Sequence, residues 1–82
     1  MRIIKEIPHP DYRITLFHWN NKYIVKLETA RFEQTYKVDQ FEFASDDEAL
    51  KILDKEFIHL AMQRFENMAA DLSDAIKRAE NL

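Results

Sequence analysis

Residues Tyr12–Ala30 read YRITLFHWNNKYIVKLETA, and the two asparagines at the centre decide the fold. β-Branched and aromatic residues crowd both flanks, the composition of half-buried strands. Asparagine tolerates the left-handed backbone that both central residues of a type I′ hairpin turn require. With Asn20 and Asn21 as that turn, Trp19 lies across from Lys22 and the register follows. One face pairs His18 with Tyr23, Leu16 with Val25, Ile14 with Leu27 and Tyr12 with Thr29, and is mostly apolar. The other pairs Phe17 with Ile24, Thr15 with Lys26 and Arg13 with Glu28, the last an opposite-charge pair. A slip of one residue would destroy both patterns, because strand side chains alternate with period two.

The strands on either side follow from this hairpin. From Phe32 to Val38, Phe32, Gln34, Tyr36 and Val38 alternate with Glu33, Thr35 and Lys37. A tight turn near Ala30-Arg31 sets Tyr36 beside Val25 and Val38 beside Tyr23, with Glu33 then facing Glu28. The alternation changes phase at Phe41 and Phe43, which predicts a bulge or a strand end after Asp39. Arg2 to Ile7 is the first strand, and Pro8-His9-Pro10-Asp11 is a turn because proline cannot continue a ladder. Pairing Ile7 with Tyr12 places Ile3 opposite Leu16, points Lys5 coreward, and aligns a Glu6–Arg13–Glu28 row on the outer face.

A helix is predicted from Ser45 onward. Ser45-Asp46-Asp47-Glu48 has the form of a capping box, with Ser45 as N-cap and Glu48 reaching back. Acids in the first turn and Lys77-Arg78 near the end both suit the helix dipole. No proline or glycine interrupts residues 46–80, so a continuous helix of roughly 50 Å is expected, longer than its sheet can cover. It carries two apolar stripes. Leu50, Leu53, Phe57, Leu60 and Ala61 should lie on the sheet. Ile58, Met62, Phe65, Ala69, Leu72 and Ile76 recur at spacings of 4, 3, 4, 3 and 4, a heptad seam about a quarter turn away. That second stripe is predicted to be an oligomer interface.

Composition narrows the classes of function. The 82 residues form a single domain, with residues 1–44 as a β-meander and 45–82 as a helix. Domains this small bury only about 60–65% of the surface of the unfolded chain, and they commonly rely on a disulfide, a metal or a second subunit. With no cysteine, disulfides, zinc–cysteine sites and thiol catalysis are out. With no glycine, phosphate-cradling loops, dinucleotide turns and the glycine-bearing signatures of RRM and KH modules are absent. Residues 1–44 carry seven Lys/Arg and six Asp/Glu, residues 45–82 five and nine, giving +1 and −4; neither half has the basic excess of a typical nucleic-acid binder. The first residues hold no apolar run of signal-peptide length, and no window approaches a membrane span. A cytoplasmic location, with no membrane association, is expected.

Catalytic and metal constellations are weak. His9, His18 and His59 show no ligand spacing, and His18 beside Tyr23 reads as an edge residue with a hydrogen-bond partner. Ser45 is needed as a cap, and Ser73 lies on a helix with no histidine and acid at a nucleophile's spacing. No enzyme and no cofactor are predicted. The outer sheet face is more suggestive: Phe17, Trp19 and Ile24, ringed by Arg13, Lys22, Lys26 and Lys37. Rings among cations suit single-stranded nucleic acid, where bases stack and phosphates are tracked, and equally suit a protein partner. No family motif is recognised in the residues. The order of four strands then a helix resembles the architecture of Whirly-type and PUR-type single-stranded-DNA binders, a resemblance that implies dimerisation and a nucleic-acid ligand.

The sequence thus predicts an α+β domain, a four-stranded antiparallel meander followed by a long C-terminal helix on one sheet face. It predicts a non-enzymatic interaction or structural protein acting as a homo-oligomer, most simply a dimer, with a single-stranded nucleic-acid binder as the alternative.

Overall fold

The computed structural model describes residues 1–81. Four antiparallel strands make one open sheet: β1 (Arg2–Pro8), β2 (Arg13–Trp19), β3 (Lys22–Glu28) and β4 (Glu33–Asp39), in that spatial order. A short helix α1 (Asp46–Ala49), a 3-10 turn at Leu50–Ile52 and a long helix α2 (Lys55–Glu80) follow. The α+β class is as the sequence predicts.

The central hairpin has the predicted register at all seven pairs, from Arg13 opposite Glu28 to Trp19 opposite Lys22. Asn20 and Asn21 take φ of 54° and 65°, the left-handed pair a type I′ turn demands. The β3–β4 register is also as expected, with Val25 opposite Tyr36 and Tyr23 opposite Val38. Glu28 does face Glu33, and Lys26 relieves the repulsion, its Nζ lying 4.0 Å from Glu28 and 3.4 Å from Glu33. After Asp39 the strand ends in a 3-10 turn over Gln40–Glu42, with the Asp39 carboxylate accepting from the Phe41 N–H.

β1 differs from expectation. Ile7 pairs with Ile14, not Tyr12, and a bulge between Ile3 and Lys5 sets Lys5 opposite Leu16 and Ile3 opposite Phe17. Tyr12 leaves the ladder because its ring stacks on His9, centroids 4.1 Å apart and planes nearly parallel, which widens the loop. The bulge lets Ile4 and Ile7 both pack on the core while Ile3 and Lys5 stay exposed. Glu6 still reaches Arg13, at 3.2 Å.

The helix differs too. Ser45 caps it as predicted, accepting from Glu48 N–H, while the Glu48 carboxylate reaches back to the N–H of Ala44. It is not continuous, however. Leu53 leaves helical geometry at ψ 51°, and Asp54 becomes a second N-cap, accepting from Phe57 N–H at 2.8 Å. The break lets Leu50, Ile52 and Leu53 all turn onto the core beside buried Ala49, which a single straight helix could not do.

α1 is anchored at the hairpin end of the sheet, where the Asp46 carboxylate accepts from Tyr23 Oη–H and Arg2 Nη1–H, each at 2.8 Å. α2 then runs antiparallel to β4: the Phe57 ring meets Tyr36 edge-on, and the Ala61 carbonyl accepts from Gln34 Nε2–H at 2.8 Å. The 26 residues of α2 extend about 39 Å, against about 23 Å for a seven-residue strand. The helix therefore projects past the Thr29–Phe32 end of the sheet. The radius of gyration, 15.4 Å, exceeds the about 12 Å of a compact chain this long.

Candidate interaction surfaces

The predicted oligomer seam is divided by the fold. Phe65 is buried in the chain's own core, and Ile58 and Met62 pack against that core. The expected availability of Phe65 to a partner is corrected, because the sheet reaches far enough along α2 to bury it, while Ile58 and Met62 are half-buried. Beyond Phe65 the same stripe runs off the sheet. Ala69 is exposed, and Leu72 and Ile76 are 40% and 42% exposed. Leu60, expected on the sheet, is instead turned out and 40% exposed, because Phe57 and Ala61 take the sheet-facing positions on either side of it.

The outer face of the sheet is less open than predicted. Ile24 is buried, and Phe17 is half-buried. They sit in a cross-strand row, Ile3–Phe17–Ile24–Lys37, so flanking side chains cover them without any helix. Thr15 is buried in the next row, between Glu6 and Lys26. Trp19 remains 51% exposed at the hairpin end. It lines a cleft of about 90 Å³ with Asn20, Lys22, Ile24 and Lys37. Arg13 is occupied by Glu6, and Lys26 by Glu28 and Glu33. The expected platform of rings and free cations thus contracts to one exposed ring with Lys22 and Lys37.

A larger groove, about 400 Å³, lies where β4 meets the flank of α2. It is lined by Gln34, Thr35 and Tyr36 from the strand and by Arg64, Asn67, Met68 and Asp71 from the helix. The sequence does not reveal this groove, and its alternation puts Gln34 on the core side without naming a partner for it. In the fold Gln34 is buried, donating to Ala61 O and accepting from Tyr36 Oη–H at 2.9 Å.

The α1 anchor perturbs its own titratable groups. Hydrogen bonds from Arg2 and Tyr23 hold the Asp46 carboxyl below its ordinary range. The bond to Asp46 in turn raises the Tyr23 phenol and the Arg2 guanidinium. These hydrogen bonds fix α1 against the hairpin end of the sheet. His18 Nε2 lies 2.8 Å from Gln40 Oε1, and its ring meets Tyr23 edge-on. Among the described residues no three His, Cys, Asp or Glu side chains gather as a metal site, and no helix is long and apolar enough to cross a membrane.

The chain matches no family model, no curated protein and no solved structure.

Proposed function

We propose that this is a non-enzymatic interaction protein that works as a homo-oligomer, most simply a twofold dimer. The observation that carries this reading is the overhang of α2, which continues the core stripe through Ala69, Leu72 and Ile76 after the sheet has ended. An apolar stripe held rigidly in solvent is costly for a small domain, and a second copy would cover it. In a twofold arrangement each subunit covers the overhang of the other. The reading also accounts for the lack of any other staple: the chain has no cysteine. A cytoplasmic setting fits the same composition.

A single-stranded nucleic-acid platform is less well supported, since Ile24 is buried and two of its four cations are already paired within the sheet.

Sedimentation of the wild-type chain tests the proposal, with a dimer expected at high micromolar concentration. Leu72→Glu should shift the population toward monomer with the circular dichroism spectrum intact. Gln63→Glu, on the exposed side of α2, should change neither. A wild-type chain that sediments as a monomer at that concentration would end the idea. Phe65→Glu is unsuitable here, because it places a charge in the chain's own core.

A further inference from the structure

β4 is an edge strand, and its free edge is chemically self-complementary. The β3–β4 ladder is bracketed by hydrogen bonds from Thr29 N–H to Phe32 O and from Gln40 N–H to Asn21 O. Even-numbered residues of β4 therefore bond to β3. Glu33, Thr35, Lys37 and Asp39 turn their N–H and C=O groups outward, unpaired within the sheet. An antiparallel copy of β4 can use those groups in several registers, and charge separates them. Centred on Thr35, Glu33 faces the partner's Lys37, twice over. Moved one residue toward Tyr36, Glu33 faces the partner's Asp39. Moved one residue toward Gln34, Arg31 faces the partner's Lys37. Centring on Glu33 or on Lys37 opposes that residue to its own copy. Only the Thr35-centred register combines outward hydrogen-bonding groups with opposite charges on its flanks.

The helix flank above this edge supports the same axis independently. Phe57 packs over Tyr36, and Ala61 O binds the Gln34 amide, so Leu60 is level with Thr35. Leu60 and Arg64 continue along one flank of α2 to Asn67 and Asp71, three of which line the groove with Thr35. That flank faces the free edge. Two antiparallel helices related by an axis beside Leu60 would bring Leu60 to its copy and set Glu56 against the partner's Arg64, four residues to either side. Among the described residues neither Glu56 nor Arg64 has an ion-pair partner within the chain.

We infer that the second copy docks by edge pairing: β4 pairs with the partner's β4 about a twofold axis at Thr35, joining two sheets into one of eight strands, with the two α2 helices side by side about Leu60. This rests on the homodimer reading and specifies its geometry. It also gives the overhang a neighbour. The same axis carries the partner's Gln40–Glu42 turn to the Thr29–Phe32 end of the sheet, from which α2 projects. Phe41 in that turn is 84% exposed, and Leu72 and Ile76 lie on the projecting segment.

The absence of cysteine makes single-site crosslinking clean. In a hydrogen-bonded antiparallel pair the Cα atoms of Thr35 and its copy would lie about 5.5 Å apart, so Thr35→Cys should form covalent dimers with a short bismaleimide. Lys77→Cys should not, because about 17 residues separate it from the axis on each helix, about 50 Å in all. Glu56→Arg and Arg64→Glu should each weaken the dimer by about tenfold, and the double reversal should return it to within about threefold of wild type. A dimer that crosslinks through the Lys77→Cys variant and not through the Thr35→Cys variant, or a double reversal as weak as either single, overturns edge pairing and leaves self-association through the helix tip. A wild-type monomer overturns both.

Discussion

The side-chain amide of Gln34 donates to the main-chain carbonyl of Ala61 at 2.8 Å, tying the edge strand to the N-terminal third of the long helix. Gln34 is buried, and its other amide atom accepts from the Tyr36 hydroxyl. A short polar chain, Tyr36–Gln34–Ala61, therefore sets the height and direction of α2 over the sheet. No buried side-chain polar atom among the described residues is left without a partner, so this chain is closed rather than strained.

Removing the amide should be costly out of proportion to its size. Gln34→Ala leaves the Tyr36 hydroxyl without its acceptor and opens a small cavity, a loss of about 1–3 kcal/mol in chemical denaturation. Tyr36→Phe removes the orphaned hydroxyl, so the double variant should lose less than the sum of the two singles. Additive losses would mean that the three groups do not act as a unit.

The hairpin turn should respond to backbone preference alone. Asn20 and Asn21 both sit at positive φ, where an ordinary side chain costs roughly 1–2 kcal/mol. Asn21→Ala should therefore lower the denaturation midpoint by an amount corresponding to about 1 kcal/mol. Asn21→Gly, which completes the preferred type I′ pair, should hold or raise it. The reverse order would place the turn elsewhere in solution.

The α1 anchor should give the fold a two-sided pH dependence. The Asp46 carboxyl titrates below its ordinary value of 3.8 in the folded chain, chiefly through the Arg2 hydrogen bond and then that of Tyr23. The unfolded chain thus binds that proton more tightly, and the contribution, present above about pH 4, is lost as the pH falls. The Tyr23 phenol titrates above its ordinary 10.0, chiefly because it donates to Asp46. Its contribution is fully present below about pH 10 and is lost as the pH rises. Melting temperatures followed from about pH 3 to about pH 11 should fall at both ends, and Asp46→Ala should flatten both limbs together, since one carboxylate causes both shifts. A variant that flattens only the acid limb would separate Tyr23 from the anchor.

Features with short-range causes were legible in the residues alone. Two asparagines can supply a type I′ turn, and period-two alternation then admits one register, so the β2–β3 pairing and its continuation to β4 could be read residue by residue. The Ser45 cap was legible for the same reason, its partner lying three residues away. Tertiary packing decided the rest. The His9–Tyr12 stack and the bulge at Ile4 shifted β1, because both isoleucines, Ile4 and Ile7, gain more from the core than from an even ladder. The break at Leu53 depends on a core that three neighbouring apolar residues must reach together. Periodicity marks a stripe as apolar without saying where the sheet beneath it ends, which is why Phe65 is inside and Leu72 outside on the same seam. The buried outer-face Ile24 has the same origin: burial is set by the length of the side chains in neighbouring strands, a relation that only the assembled sheet contains.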